Sequence, residues 1–135
     1  MASIAADFNN EGHVARIVAR MQSLEWIEFW HEIKMDCVSL SELGVSRDAL
    51  DSEIWDFCQR LEIVLITINR NDDGPYSLEA TIRAKNNLTC LPVLTLRNAD
   101  RVLTSGHYLD DVVESLFDKL LTLDERRGAG RLFLP

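Results

Sequence analysis

Acidic and amide side chains lie at the ends of several predicted elements, where they could support metal-dependent chemistry. Asp7 closes the short apolar segment Ser3–Ala6, and Asp51 and Glu53 open a predicted helix. A further polar group follows the apolar run 63–66 and comprises Asn69, Asn71, Asp72 and Asp73. A continuous apolar run rich in β-branched residues predicts a strand buried on both faces. Ligands collect at the carboxyl ends of strands in open parallel sheets, so we expect these groups to converge there.

Converging carboxylates would suit Mg²⁺ or Mn²⁺. Mg²⁺ prefers oxygen ligands and is usually held by one or two carboxylates together with substrate phosphates. A metal held in this way can activate water and stabilise the charge that develops on a phosphodiester. Arg70 and Arg97 each follow a predicted strand, where they could contact a polyanionic substrate near the acids.

Each acidic group also has a purely structural interpretation. Asp51 precedes Ser52-Glu53 and is a good candidate for a helix N-cap. Asp72 and Asp73 lie beside Gly74-Pro75, as ordinary turn residues do. Asp7 is harder to explain structurally, because an acid that closes a buried first strand has no evident capping role.

Other site chemistries have little support in the sequence. The three histidines are scattered without metal-ligand spacing. There is no phosphate-binding glycine loop, dinucleotide fingerprint or nucleophile elbow. Arg126, Arg127 and Arg131 could bind phosphate, although cations at the end of a helix are the simpler interpretation.

Strands and helices alternate along most of the chain. Apolar residues at helical spacing predict helices over 13–24, 51–61, 76–86 and 108–123. A second short helix or an extension of the first is predicted around Trp26–Ile33, and a further short helix over 98–103. Strands are predicted over 3–7, 35–40, 62–68, 91–96 and 131–135. Pro75 suits the first position of the third of these helices. The alternation predicts an α/β fold, with helices on both faces of a mainly parallel sheet.

Composition favours a single globular domain over residues 1–135. The chain has 14 basic and 22 acidic residues, which give a net charge of -8 and weigh against a broad nucleic-acid footprint. Three cysteines without CxxC spacing argue against a disulfide framework. No apolar run is long enough to cross a membrane and no secretory signal is visible, so a cytoplasmic location is expected.

Three short motifs within residues 3–96 resemble the PIN-like nuclease superfamily. The segment 4–9, IAADFN, resembles its opening strand and aspartate; 50–54, LDSEI, resembles the start of an acidic helix; and 64–71, VLITINRN, resembles a strand that ends in paired aspartates. The resemblance implies a three-layer α/β/α fold and divalent-metal ribonuclease ancestry of the compact toxin–antitoxin type. It implies that Asp7 is a metal ligand, that Asp51 or Glu53 supplies the second acid, and that Asn69 and Asn71 occupy ligand positions. Asp72 or Asp73 could compensate for the two asparagines after a shift of one or two residues. The expected metal ligands are therefore Asp7, Asp51, Asn69, Asn71 and Asp73, and the expected catalytic residues are Asp7, Asp51, Glu53 and Asp72.

The chain departs from the family pattern where asparagine replaces two aspartates, at Asn69 and Asn71. An amide keeps an oxygen ligand but loses the charge, so metal affinity should fall. Two functions therefore remain open: a metal-dependent ribonuclease with a weakened site, and a non-catalytic PIN-like domain that binds RNA or a protein such as an antitoxin. Trp26, Phe29 and Trp30 also predict an apolar surface patch and a homodimer.

Overall fold

The parallel sheet predicted from the alternation of elements is confirmed. The computed structural model describes residues 2–135, and within them five strands form one sheet in which every pairing is parallel. The strands are β1 (Ser3–Ala6), β2 (Cys37–Val38), β3 (Ile63–Thr67), β4 (Val93–Leu96) and β5 (Arg131–Leu134). Their order across the sheet is β2-β1-β3-β4-β5. The direction of chain progression reverses between β1 and β3, and ligands favour the carboxyl end of such a switch point.

Helices cover both faces of the sheet, which gives the predicted three-layer α/β/α arrangement. Within residues 2–135 the helices are α1 (Glu11–Met21), α2 (Ile27–Ile33), α3 (Asp51–Arg60), α4 (Leu78–Lys85), α5 (Ala99–Thr104) and α6 (Gly106–Leu121). Helices α1, α2, α5 and α6 bury their apolar residues in one core cluster, and α3 and α4 contribute to a second.

The two clusters follow from the alternation of side chains along each strand. Val64 and Ile66 of β3 lie in the first cluster, whereas Ile63 and Leu65 lie in the second. All five residues of β3 are buried. A strand covered on both faces needs apolar residues at every position, so its continuous apolar run is explained.

Two sequence-based predictions about helix starts are wrong. Asp51 is the first residue of α3 rather than its N-cap, because Leu50 holds the cap position and its N–H donates to Glu53 Oε1 at 3.0 Å. Helix α4 begins at Leu78 rather than near Pro75, and the Ser77 hydroxyl caps it by accepting from Ala80 N. A side-chain oxygen that satisfies an exposed backbone N–H decides both starts.

The first helical region also differs from its prediction. A single 3-10 turn, Phe8–Asn10, leads directly into α1, which starts two residues earlier than expected. Trp26 precedes a separate helix, α2, rather than an extension of α1. No helix within residues 2–135 combines the length and the apolar character needed to span a bilayer.

Candidate functional site

A row of polar side chains crosses the sheet at its carboxyl end. Ala6 pairs with Ile66, Thr67 with Thr95, and Thr95 with Phe133, so Asp7, Thr67, Thr95 and Phe133 follow one another across four strands. Neighbouring residues in register point to the same face of a sheet, here the face that carries α3 and α4. Asp7, Thr67 and Thr95 are buried. The row begins with a carboxylate at β1 and ends with an aromatic ring at β5.

Asp7 anchors the row at the switch point between β1 and β3. It is 7% exposed, and its two carboxylate oxygens accept from Phe8 N at 2.8 Å and from the Thr67 hydroxyl at 2.7 Å. Asp7 is thus the N-cap of the 3-10 turn Phe8–Asn10, so the expectation that it has no capping role is wrong. No arginine, lysine or histidine within residues 2–135 forms an ion pair with it. Two neutral donors compensate only part of the free energy lost when a carboxylate leaves water.

The Asp7 carboxylate also affects the pKa of a buried thiol on α3, that of Cys58. Burial, and then the Asp7 carboxylate, raise the pKa of Cys58 to about 12. The thiolate is the form of cysteine that acts as a nucleophile or metal ligand. Cys58 therefore remains a neutral thiol at physiological pH and takes no chemical part in the site.

A chain of hydrogen bonds leads from Thr67 to Asp51. The Thr67 hydroxyl accepts from Asn69 N at 2.9 Å, and Asn69 Nδ2 donates to Asp51 Oδ2 at 3.0 Å. Asn69 Oδ1 accepts from Asn71 N at 2.9 Å. These two contacts define the orientation of the amide, since a flipped amide would put oxygen against Asp51 and NH₂ against an N–H donor. Asn69 therefore presents a donor to the neighbouring carboxylate.

The loop after β3 is shaped by its asparagines. Asn69 Oδ1 accepts from Asn71 N, and Asn71 Oδ1 accepts from Asp73 N at 3.0 Å. Each is a local turn in which a side chain replaces a backbone acceptor. Both predicted amide ligands thus already use their oxygens for the loop backbone.

The remaining predicted acids lie around this loop. Asp51, Asn71 and Asp73 line one open cleft of about 340 Å³ together with the exposed Tyr76. Glu53 lines a different cleft and accepts from Leu50 N, whereas Asp72 is exposed. Within residues 2–135 no three histidine, cysteine, aspartate or glutamate side chains converge closely enough to hold a metal ion. Among the predicted ligands, the cleft brings together two acids, Asp51 and Asp73, whereas Asp7 lies in the buried polar row.

Arg131 supplies a cation beneath the loop that the sequence analysis did not assign to the site. Its side chain is 8% exposed, and Nη1 donates to Asn69 O at 2.8 Å and to Thr95 Oγ1 at 2.6 Å. Nε donates to Glu79 Oε2 of α4 at 3.0 Å, and Nη2 lies 2.9 Å from the same oxygen. Arg131 thereby ties the loop after β3 to β4, β5 and α4.

The predicted substrate contacts, Arg70 and Arg97, meet at Phe133. Their guanidinium carbons lie 5.5 and 4.3 Å from the centre of that ring, and Arg70 Nη2 donates to Arg97 O at 3.2 Å. Both arginines are exposed, and neither forms an ion pair with a carboxylate in the described chain. The two guanidinium groups over the Phe133 ring therefore form an exposed cationic surface at this edge of the sheet.

Three side chains of this site were not predicted from the sequence, namely Asn10, Thr67 and Thr95, and Arg131 was predicted only as a possible phosphate contact. Asn10 is fully buried, and its Oδ1 accepts from Ile68 N at 3.1 Å, which links the turn after β1 to the end of β3. Thr67 and Thr95 each follow an inward apolar residue by two positions, and that period was the signal available for finding them.

Comparisons with protein-family models, with curated proteins and with solved structures each find no match to this chain.

Proposed function

We propose that this chain is a PIN-like domain that binds RNA at the carboxyl edge of its sheet without an efficient metal centre. The observation that carries the proposal is the hydrogen bond from Asn69 Nδ2 to Asp51 Oδ2. A divalent metal between these side chains would need an oxygen where Asn69 presents NH₂. The amide instead donates a hydrogen bond to a carboxylate oxygen of Asp51 and holds the loop in place.

The RNA contact is proposed at Arg70, Arg97 and Phe133. Arginine is well suited to phosphate because its planar fork donates two parallel hydrogen bonds. A guanidinium plane held over the Phe133 ring can also stack on a base, and such stacking tolerates any sequence. Local binding of this kind is compatible with a net charge of -8, because the two guanidinium groups have no carboxylate partner among the described residues.

Calorimetric titration with Mn²⁺ tests the role of Asn69. Wild-type protein should give no saturable heat at millimolar Mn²⁺, whereas Asn69→Asp should bind the ion, because it places a second carboxylate beside Asp51. The variant should also melt at a higher temperature with Mn²⁺ than without it, since binding to the folded state adds stability. Asn87→Asp is the matched control, because Asn87 Oδ1 accepts from Thr89 N in a turn of the same kind. Saturable heat with wild-type protein that is lost in Asp7→Asn would overturn the proposal.

Fluorescence anisotropy with a single-stranded RNA of about 12 nucleotides tests the second half of the proposal. Replacing both Arg70 and Arg97 with alanine should weaken binding about tenfold at low salt. If each arginine contacts one phosphate, the slope of log affinity against log salt should fall by about 1.4. Arg83→Ala removes an exposed arginine from α4 and should leave affinity unchanged. An equal loss of affinity in the double variant and in Arg83→Ala, or no RNA binding by the wild type, would contradict the proposed RNA contact.

A metal-dependent ribonuclease is the second candidate, and Asp7 favours it. A buried carboxylate without a cationic partner is costly, and a divalent ion would offset that cost. Incubating labelled RNA with the protein and Mn²⁺ distinguishes the two functions. Cleavage that Asp7→Asn abolishes would support the nuclease. Intact RNA that still binds the protein would support the non-catalytic domain.

A further inference from the structure

Three aromatic rings pack together where α2 meets α6. The ring centres of Trp26, Phe29 and Phe117 lie 5.9, 5.8 and 5.6 Å apart in the three pairings. Phe117 is buried and Trp26 is partly buried against the core, so these two rings support the third from beneath. Phe29 remains 42% exposed. Leu121, which lies one helical turn beyond Phe117, is 41% exposed. We call the surface formed by Trp26, Phe29 and Leu121 the α2 patch.

Hydrogen bonds at the edge of the α2 patch fix the position of Trp26. Trp26 Nε1 donates to Asp110 Oδ1 at 3.2 Å. Arg20 donates to both oxygens of Asp110 at 2.6 and 3.1 Å, and its Nη2 also donates to Glu25 at 2.8 Å. A partner that lands on a preformed surface loses less conformational entropy of the binding site. Trp26 is therefore already held in place before a partner binds.

Acidic residues surround the α2 patch. The segment 24–36 carries four acids and one lysine, namely Glu25, Glu28, Glu32, Asp36 and Lys34. On α6, Glu114 and Asp118 are exposed. Arginines already pair with two of these acids, Glu25 and Asp118. The acids without an ion pair among the described residues include Glu28, Glu32 and Glu114. A second copy of this chain would bring acids against acids, and juxtaposed like charges oppose association. The surrounding charge thus disfavours the homodimer expected from the tryptophans and favours a positively charged occupant.

We infer that the α2 patch binds a basic amphipathic helix of a partner protein. Its apolar face would cover Phe29 and Leu121, and its lysines or arginines would lie beside Glu28 and Glu32. Helices commonly bind in this way, with apolar anchors at a spacing of three and four residues on a preformed apolar surface. The α2 patch is independent of the RNA-binding edge, because its residues belong to the opposite face of the sheet from Thr67 and Asp51.

Fluorescence anisotropy with a labelled synthetic peptide tests the inference. The probe carries leucines on one helical face and lysines on the other, and the comparison peptide has the same composition in scrambled order. The full chain should bind the amphipathic peptide at least about tenfold more tightly than the scrambled one. Phe29→Ser should remove that preference. Leu88→Ser is the matched control, because Leu88 is an 86% exposed apolar side chain in a separate loop.

Light scattering on the same proteins tests whether a second copy of this chain covers the α2 patch instead. We expect a monomer at every concentration, with Phe29→Ser unchanged. A wild-type dimer that Phe29→Ser dissociates would show that a second copy covers the patch and would overturn the inference. Equal binding of both peptides, or no binding of either, would overturn it as well. Should Phe29→Ser lose its native circular dichroism, Leu121→Ser replaces the same surface from α6 and answers the same question.

Discussion

Replacing Arg131 with methionine should destabilise the protein more than any substitution of an exposed cation. The guanidinium is 8% exposed and its partner Glu79 is 26% exposed, so removing the cation leaves a largely buried carboxylate without its partner. Breaking one side of a buried ion pair costs about 3–5 kcal/mol. Because Glu79 keeps part of its surface in water, we expect about 3 kcal/mol for Arg131→Met. The loss also includes the donors to Asn69 O and Thr95 Oγ1.

Urea unfolding followed by circular dichroism measures this cost. For a protein of this size the urea dependence of the unfolding free energy is about 1.5–2 kcal/mol per molar, so the midpoint should fall by about 1.5–2 M. Lys85→Met is the matched control, because Lys85 and Asp56 form an ion pair in which both side chains are about half exposed, at 49% and 46%. Exposed pairs contribute about 0.2–1 kcal/mol, so this midpoint should move by less than about 0.7 M.

A double variant separates the ion pair from the other contacts of Arg131. Arg131→Met combined with Glu79→Met should cost less than the sum of the two single substitutions, because neither charge is then left buried alone. Equal midpoints for Arg131→Met and Lys85→Met would refute the reasoning. Strict additivity in the double variant would show that Glu79 is not the partner that matters.

Two further predictions concern pH and backbone geometry. Because the pKa of Cys58 rises from 9.0 to about 12 on folding, its contribution to stability is complete below pH 9 and declines as pH increases to about 12. Between pH 9 and about 12, the unfolding free energy of Cys58→Ala should therefore fall less steeply than that of the wild type. Parallel pH profiles of the two proteins would show that the Cys58 thiol is not the cause. Gly12→Ala should stabilise α1 by about 0.5–1 kcal/mol, since no atom lies within 4 Å of the added carbon. Gly130→Ala should destabilise the protein by at least about 1–2 kcal/mol because φ is +79° and Ile82 Cγ2 would lie 3.1 Å away; equal urea midpoints for the two variants would rule this out.

The sequence predicted the layers of the fold because hydrophobic periodicity is a local signal. Residues 63–66 are apolar at every position, and the apolar stripe along α6 repeats at helical spacing, so the burial of each element can be predicted from its own sequence. Helix starts were predicted less well, since they depend on single hydrogen bonds such as the one from Leu50 N to Glu53. Such bonds compete closely with one another, and composition does not reveal which of them forms.

The candidate site was predicted only in part, because its side chains come from distant segments. Asp7, Asp51 and Asn69 were identified by their places at element ends. The sequence predicted Arg131 to lie in the final strand and to be a possible phosphate contact, whereas in the structure it reaches Asn69 from 62 residues away. Nothing near Arg131 in the sequence indicates that partner. Register between strands creates the contact, and register is a property of the assembled sheet.

The pairing of β1 with β3 also bears on the speed of folding. The hydrogen bond from Thr67 to Asp7 joins residues 60 positions apart, and both neighbours of β1 in the sheet come from later in the chain. Closing so long a loop costs entropy before any contact compensates for it, and parallel sheets built from such pairings fold slowly. The polar row can form only after that central pairing. Recovery of the site should therefore coincide with the main refolding phase, and folding catalysts or crowding that speed the sheet should speed the site equally.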